Sequence, residues 1–317
     1  MRESKEDIKT ILEERYPITV SEVQLLQNID DQVFLITSKK GEKYKFKLIH
    51  APSEKRENQL EEIAKWMGYL NERVAVPLPS VHPTITGGLT FQLSKEQDSK
   101  TGILYHWIDW TILKQYQTEN MRKLGQLLGQ IHRLTKSYHH QETSLPIIDS
   151  QWVLKKALPG IIQVREQLSL SERALAQLPH KMNVLAEYLE RQESISSQFG
   201  PIHSDIHRNN LIEKDGQLSL IDFDDAVFGP YLLDLGVILN ELADHPHSYQ
   251  AWTQGLLQGY CTAIGEGVSE EDLHRHRELA NLIYADWIAN LLRQERPVNQ
   301  KKLNFGRQAL INIIKIQ

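Results

Sequence analysis

Cysteine is nearly absent from this chain, since Cys261 is the single one among 317 residues. No disulfide bond can therefore form within the chain. Apolar runs are short, because none approaches the roughly 20 residues that a membrane-spanning helix needs, and no low-complexity tract or internal repeat is visible. The charged start Met1–Asp7 is not typical of a signal peptide. These absences favour a cytoplasmic globular protein.

A large excess of charge of either sign is missing as well. The formal net charge is -5 and the isoelectric point is near 6.2, which gives no reason to expect nucleic acid or a membrane as a partner. With 40% hydrophobic and 24% charged residues, the chain is long enough to bury a sizeable core and to form two subdomains.

The most informative pattern that is present begins at His203. His203, Asp205 and Asn210 have the spacing His-x-Asp-x4-Asn, and Asp222 follows after the next eleven residues. Kinase folds use this spacing for phosphoryl transfer. One carboxylate orients an acceptor hydroxyl and takes its proton, while a carboxamide oxygen and a second carboxylate hold Mg²⁺ against nucleotide phosphates. Asp205, Asn210 and Asp222 supply these groups in that order.

The segment between Asn210 and Asp222 is typical of a β-hairpin. Apolar residues at 211–212 and 218–221 flank the dipeptide Asp-Gly at 215–216, which is a strong turn signal. We therefore expect Asn210 and Asp222 at the two open ends of one hairpin, within reach of one metal ion.

The N-terminal third of the sequence predicts a helix followed by strands and one more helix. Strands are indicated at 33–36 and 44–49, and apolar residues recur at helical spacing over 54–71. A further strand pair is predicted at 89–93 and 103–107, around a polar loop.

Beyond residue 110 the periodicity predicts long amphipathic helices, interrupted only by the hairpin. The predicted fold class is α+β, in the bilobal arrangement of protein kinases. The predicted domains are an N-terminal nucleotide-binding lobe (1–104), a hinge (105–110) and a helical lobe with the catalytic loop and acceptor site (111–317).

Over most of its length the chain resembles the aminoglycoside phosphotransferase and choline kinase superfamily of small-molecule kinases. The likeness is carried by the lysine strand 44–47, the helix segment 124–132, the motif 203–210 and the segment 221–236. The resemblance implies a kinase that moves the γ-phosphoryl group of ATP (or GTP) to a small-molecule hydroxyl, with Mg²⁺ as cofactor. It does not imply an oligomeric state.

The resemblance also implies roles for residues of the motif. Asp205 would be the catalytic acid/base, and Asn210 and Asp222 would bind Mg²⁺. His203 and Asp234 would support the catalytic loop.

A second implied set would bind the nucleotide. Lys47 would contact the α- and β-phosphates and pair with a glutamate of the following helix, for which Glu62 has the best spacing; Glu57 and Glu61 stay open as alternatives. Backbone groups near the hinge would face the nucleotide base. The implied nucleotide-binding residues are Lys47, Glu62, Tyr105 and Trp107.

Three features depart from the family pattern. The segment 27–32, which matches the phosphate-covering loop, has no glycine, so close backbone approach to the phosphates is less favoured. Ser204 replaces a common glycine, and Trp110 stands where a glycine often follows the hinge.

Two other functions stay open on sequence grounds. A kinase-like chain can lose activity and serve as a binding or structural module. His203, Asp205 and His207 also form a His-x-Asp-x-His pattern, whose side chains would share one face of a strand and could serve a metal-dependent hydrolase. That hydrolase leaves Asn210 and Asp222 unexplained.

The acceptor stays open among amino alcohols, sugars, homoserine-like metabolites and antibiotics. Glu278 and Asp286 lie on the same predicted helix as Tyr284, which favours a mildly cationic or hydroxylated metabolite.

Overall fold

The computed structural model describes residues 3–28, 31–50, 54–95, 98–138 and 142–315. The chain divides into two compact units. Unit 1 comprises Met1–Ile112, Tyr138–Leu145 and Ile212–Asp224, and unit 2 comprises Leu113–Ser137, Pro146–Leu211 and Asp225–Gln317.

Unit 1 is built on a five-stranded antiparallel sheet in the order β1-β2-β3-β5-β4. Its strands are β1 (Val20–Asn28), β2 (Gln32–Ser38), β3 (Lys43–His50), β4 (Phe91–Lys95) and β5 (Asp98–His106). Two helices belong to the same unit, α1 (Lys5–Arg15) and α2 (Glu54–Asn71). The strands predicted at 33–36 and 44–49 and the helix predicted at 54–71 are confirmed.

The polar loop predicted between the last two strands is wrong, because β4 continues to Lys95 and β5 resumes at Asp98. Polar side chains on the two strands form hydrogen bonds with one another across the ladder. Gln92 accepts a hydrogen bond from Ser99 Oγ at 3.1 Å and donates one to Thr101 Oγ1 at 3.0 Å. A polar stretch can therefore stay in a strand when its partner strand supplies matching groups.

The core of unit 1 lies between α1 and one face of the sheet. The α1 side chains Ile8 and Leu12 are fully buried and pack with Phe34, Phe46 and Leu104 of the strands. Ser4 caps α1 in a reciprocal capping box with Asp7, which satisfies backbone N–H groups that the first turn leaves free.

A small three-stranded sheet joins the hairpin to unit 1. Its order is β6-β8-β9, where β6 is Thr111–Ile112, β8 is Leu211–Lys214 and β9 is Gln217–Leu220. Thr111 pairs with Glu213 in this sheet. Residues 212–224, which the sequence-based boundaries assign to the helical lobe, therefore group with unit 1, because the strand that follows the hinge pairs with the hairpin.

Unit 2 is mainly helical, with one short antiparallel ladder of β7 (Phe199–Ile202) and β10 (Val227–Pro230). The predicted long helices are confirmed, and a last helix appears where no separate helix was predicted. The helices are α3 (Thr118–Thr135), α4 (Ser150–Trp152), α5 (Leu158–Gln163), α6 (Glu172–Glu193), α7 (Leu233–Leu242), α8 (Tyr249–Ile264), α9 (Glu270–Arg293) and α10 (Gln300–Lys315).

The core of unit 2 gathers the apolar faces of α6, α9 and α10, with Leu185, Ile288 and Leu310 fully or almost fully buried. The helices α3 and α8 approach closely because Gly125 and Gly259 face the partner backbone. Across the residues that the structure describes, no helix combines the length and apolarity needed to cross a membrane.

Candidate functional site

The buried Lys47 is the centre of a charge cluster in unit 1. Lys47 lies on β3, and its Nζ donates hydrogen bonds to the carboxylates of Asp222 and Asp224. Burial alone lowers the pKa of Lys47, but the charges of Asp224 and Asp222 outweigh it and raise the pKa above its usual range. Tyr105 adds a hydrogen bond from its hydroxyl to Asp224 Oδ1 at 2.8 Å. The structure thus brings the predicted Lys47, Asp222 and Tyr105 together and adds Asp224, which sequence analysis did not select.

Lys45 lies two residues before Lys47 on the same face of β3, but its setting differs. Its Nζ is 3.7 Å from Asp222 Oδ1. Burial and the positive charge of Lys47 lower the pKa of Lys45, and these effects outweigh the two aspartates. The two lysines are therefore not equivalent, since only Lys47 is fully neutralised by carboxylates.

The expected pairing of Lys47 with a glutamate of α2 is corrected by the structure. Glu62 accepts hydrogen bonds from Thr143 Oγ1 at 2.7 Å and from the Ser144 backbone at 2.5 Å. The two alternative glutamates also have other partners. Glu57 accepts a hydrogen bond from Gln92 at 2.8 Å, and Glu61 lies 3.5 Å from Lys65. The physical reason is that Asp222 and Asp224 already satisfy the lysine, while the segment 143–144 supplies donors to Glu62.

Several backbone N–H groups near the hinge are engaged within unit 1. The Trp107 N–H donates to the Lys43 carbonyl at 3.1 Å, and the His106 N–H donates to the Ser80 carbonyl at 2.9 Å. Tyr105 itself pairs with Lys45 in the sheet ladder. These backbone donors are therefore engaged, and the next one, the N–H of Ile108, has no hydrogen-bond partner within the described ranges.

A cavity of about 160 Å³ opens in unit 1 beside this cluster. Its walls are mostly apolar, while Lys45, Asp222 and Asp224 add charges. This combination suits a flat aromatic base with a charged tail. The apolar and aromatic residues that line it include Trp107, Ile108, Trp110, Ile112, Ile212, Ile221 and Phe223. Of the glycine-free segment 27–32, Ile29 and Asp30 lie outside the described residues.

Asp234 holds the loop after β7 in unit 2. Its carboxylate is buried and accepts hydrogen bonds from the Ser204 N–H at 2.7 Å and the His203 N–H at 3.2 Å. The ring of His132 lies 3.1 Å away on the same carboxylate. His203 Nδ1 in turn accepts the Asp205 N–H at 3.3 Å. The two residues predicted to support the loop thus both bond to its backbone.

Asp205 projects from this loop as an ionised carboxylate. Asn210 Nδ2 donates to Asp205 Oδ2 at 3.0 Å and to its backbone carbonyl at 2.9 Å. Burial raises the pKa of Asp205, but the hydrogen bond and charge of His207, 3.5 Å away, together with His203 and Asn210, lower it below its usual value. Ser204, in the place of the common glycine, has a φ of 60°, and its hydroxyl donates to the Asp225 carbonyl at 2.6 Å.

Asn210 and Asp222 each carry an oxygen donor of a type that suits a hard divalent cation. The amide nitrogen of Asn210 donates to Asp205, so its carboxamide oxygen is the atom that could bind a metal ion. The side chain of Asp222 is 37% exposed and its backbone φ is 69°. Oxygen donors of these two types are the ligands that Mg²⁺ prefers.

The hydrolase hypothesis finds no support. Residues 203–207 form a loop rather than a strand, because Ser204 turns the backbone. His203, Asp205 and His207 therefore do not share a strand face. Among the described residues, no group of three or more histidine, cysteine or acidic side chains could hold a metal ion.

A second cavity, of about 310 Å³, lies in unit 2 and includes Asp205. Glu278 and Asp286, named from sequence as acids for an acceptor, do not line it. Both are buried against arginines, Glu278 at 2.8 Å from Arg275 and Asp286 at 3.6 Å from Arg293. The polar residues that do line this cavity are Ser204, Asp205, His207, Asn240, Glu241, Asp244, Arg277, Asn281, Tyr284, Gln308 and Asn312.

The sequence and fold are similar to those of known kinases. The family model described as "Phosphotransferase enzyme family" matches residues 22–291. Amicoumacin kinase of Bacillus subtilis (strain 168) is 24% identical over 272 residues, which cover 78% of this chain and 73% of that protein.

Two solved structures share the fold. One is "Amicoumacin kinase hAmiN in complex with AMP-PNP, Ca2+ and Ami", with a TM-score of 0.76, 15% identity, and coverage of 98% of this chain and 93% of that chain. The other is a microcompartment-associated aminopropanol kinase, with a TM-score of 0.76, 16% identity, and coverage of 97% and 94%. The predicted α+β, kinase-like fold class is confirmed.

Proposed function

Because the chain belongs to the phosphotransferase enzyme family, we propose that it transfers the γ-phosphoryl group of ATP to a hydroxyl group of a small molecule. The observation that carries the proposal is the Asp205 carboxylate. It is held by Asn210 and has a lowered pKa, and it lines a cavity large enough for a small organic molecule.

Asp205 would act on the acceptor. An ionised carboxylate at hydrogen-bond distance orients the hydroxyl and accepts its proton as the oxygen attacks the γ-phosphorus. The bond from that phosphorus to the β–γ bridging oxygen breaks, and the nucleoside diphosphate leaves with the electron pair. His207 and Asn210 keep the carboxylate in place and ionised.

Lys47, Asp222, Asn210 and the apolar cavity of unit 1 would bind the nucleotide. Mg²⁺, when bound, supplies positive charge to the phosphate oxygens, and Asn210 and Asp222 would hold it. The Ile108 N–H, for which the described residues supply no acceptor, would donate to the base, since the Trp107 N–H is engaged by Lys43. Lys47 pairs with both Asp222 and Asp224. When the nucleotide binds, Lys47 would exchange its hydrogen bond with one aspartate for a hydrogen bond with a phosphate.

The test is a coupled assay of ADP release with Mg²⁺, and of GDP release with GTP. The acceptor panel contains amino alcohols, sugars, aminoglycosides and macrolides. It also contains amicoumacin and 1-amino-2-propanol, because two proteins with this fold are named amicoumacin and aminopropanol kinases. We expect acceptor-stimulated release that falls by about 10²-fold or more in Asp205→Asn.

The nucleotide-induced thermal shift should persist in Asp205→Asn, because this residue faces the acceptor. Asp215→Asn, an exposed aspartate in the hairpin turn, is the matched control and should behave as the wild type. Equal turnover of Asp205→Asn and wild type would refute the assignment.

A further inference from the structure

The cavity around Asp205 carries fixed charges of both signs. Arg277, Asn281 and Tyr284 line it from α9, at a spacing that places them on one face of the helix. Glu241 and Asp244 line it from the end of α7 and the residues just after it. A basic group and two acidic groups therefore share one cavity with the proposed base.

Neighbouring side chains hold the Arg277 guanidinium in position. Its Nε donates to Asn240 Oδ1 at 3.2 Å, and its carbon lies 5.5 Å from the centre of the Tyr249 ring. The backbone carbonyl of Arg277 accepts from Asn240 Nδ2 at 3.1 Å and from Asn281 Nδ2 at 3.0 Å. Within the described ranges no carboxylate forms an ion pair with this guanidinium. Its terminal nitrogens are therefore available to an anionic group of a ligand.

The two acids, Glu241 and Asp244, have few partners among the described residues of unit 2. Glu241 accepts a hydrogen bond from the Tyr116 hydroxyl at 3.0 Å, and in the part of the chain that the structure describes neither Glu241 nor Asp244 forms an ion pair. This contrasts with Glu278, which arginine neutralises within α9. Burial, followed by the charges of Asp205 and Glu241, raises the pKa of Tyr284. Glu241 and Asp244 therefore give the cavity wall negative charge that suits a cationic group.

Asn281 adds an uncharged polar group to the wall of this cavity. Its side chain is only 6% exposed, and its amide nitrogen is used by the Arg277 carbonyl. Its carboxamide oxygen accepts no hydrogen bond from any described residue, although it belongs to the cavity wall. This oxygen is therefore available to a donor group of a ligand.

We propose that the acceptor is a zwitterion: a hydroxyl compound with an ammonium group, which Glu241 and Asp244 bind, and a carboxylate, which Arg277 binds. This inference rests on the proposed function, since Asp205 must lie within reach of the hydroxyl. It narrows the acceptor from amino alcohols, sugars and antibiotics in general to hydroxylated amino acids and larger molecules with the same pair of charges.

Three compounds test the ammonium group and the carboxylate of the acceptor separately. L-Homoserine has the hydroxyl, the ammonium and the carboxylate; 3-aminopropan-1-ol lacks the carboxylate; 4-hydroxybutyrate lacks the ammonium. The measurement is kcat/KM for each in the ADP-release assay, with calorimetric binding of the same compounds alongside. We expect L-homoserine to exceed both others by at least about tenfold, the factor for a charge-assisted hydrogen bond.

Variants then assign each charge to its residue. Arg277→Gln should remove the preference for L-homoserine over 3-aminopropan-1-ol, whereas the double variant Glu241→Gln, Asp244→Asn should remove its preference over 4-hydroxybutyrate. Matched controls are Arg133→Gln on α3 and Glu187→Gln on α6, which change exposed side chains and should retain both preferences. Circular dichroism confirms that each variant is folded.

The outcomes distinguish this inference from the proposed function. If the wild type phosphorylates acceptors but does not prefer L-homoserine, or if Arg277→Gln keeps the preference, the zwitterion inference is wrong and the kinase stands. If no compound is phosphorylated but L-homoserine binds in an Arg277-dependent manner, the ligand class stands and the kinase proposal fails. Absence of both binding and turnover with L-homoserine overturns the inference.

Discussion

Asp234 accepts a hydrogen bond of 2.7 Å from the backbone N–H of Ser204. Asp234 thus fixes the residue just before Asp205, where the backbone has a φ of 60°. Such a conformation is unfavourable for a residue other than glycine and persists only when its surroundings hold it. The position of Asp205 therefore depends on a carboxylate nearly thirty residues further along the chain.

Asp234→Asn should lower kcat by on the order of 10²-fold, the effect of a displacement of about 1 Å at a reacting group. The substitution replaces one carboxylate oxygen of Asp234 with an amide NH₂ group. This donor would face the backbone N–H groups of 203–204, which are also donors. The nucleotide-induced thermal shift should change little, because Asp234 does not line the cavity of unit 1. Asp215→Asn is the control, and an unchanged kcat in Asp234→Asn would contradict the positioning role.

Lys47→Met should destabilise the protein by about 3–5 kcal/mol, the cost of breaking a buried charge pair by removal of one partner. Lys47 is 7% exposed, and its loss leaves Asp222 and Asp224 facing each other without it. Lys45→Met is the matched control on the same strand. Its Nζ lies 3.7 Å from one aspartate, so its loss should cost about 1 kcal/mol or less. Urea denaturation of both variants measures the difference, and equal losses would contradict the unequal roles.

Gly259→Ala should destabilise the protein by at least about 2 kcal/mol. A Cβ atom at this position would lie 1.9 Å from the Arg122 carbonyl oxygen, so α8 would have to move away from α3. Gly68→Ala is the opposite case, because beyond its chain neighbours and its own helical turn no described atom lies within 4 Å of its Cβ position in α2. That change should stabilise the protein by about 0.5–1 kcal/mol through helix propensity. Thermal denaturation of the two variants should show shifts of opposite sign.

His276 should make stability fall as the pH drops from about 6.5 towards 4. Burial lowers its pKa from 6.5 to about 4, partly offset by Asp272. Between these values the unfolded chain binds a proton that the folded protein does not, so the free energy of unfolding decreases with falling pH by up to about 1.4 kcal/mol per pH unit. His276→Gln should lack this component. Unfolding at pH 4.5 and pH 7 measures it, and an identical pH dependence in the variant would disprove it.

The local pattern of apolar and polar residues was sufficient to predict most helices and strands of the fold. The helix predicted at 54–71 matches α2 residue for residue, because its buried residues Leu60, Ile63 and Met67 recur at helical spacing. The strand pair after it was predicted too short, since the polar residues Gln92, Ser99 and Thr101 satisfy each other across the ladder. Cross-strand partners are not visible in the periodicity of a single strand.

The sequence by itself determined the chemistry-bearing motif and its immediate geometry. Asp205, Asn210 and Asp222 could be selected because their spacing around a hairpin turn is local, and hydrogen bonds such as that between Asn210 and Asp205 span only five residues.

Only the tertiary structure decided which distant groups meet. Lys47 pairs with Asp222 and Asp224 rather than with Glu62, and the acids that line the cavity beside Asp205 are Glu241 and Asp244 rather than Glu278 and Asp286. The reason is that periodicity determines which face of an element is buried, whereas the pairing of side chains depends on how elements far apart in sequence are packed. The partner of a charged residue on a helix can therefore be identified only when the position of the neighbouring helix is known.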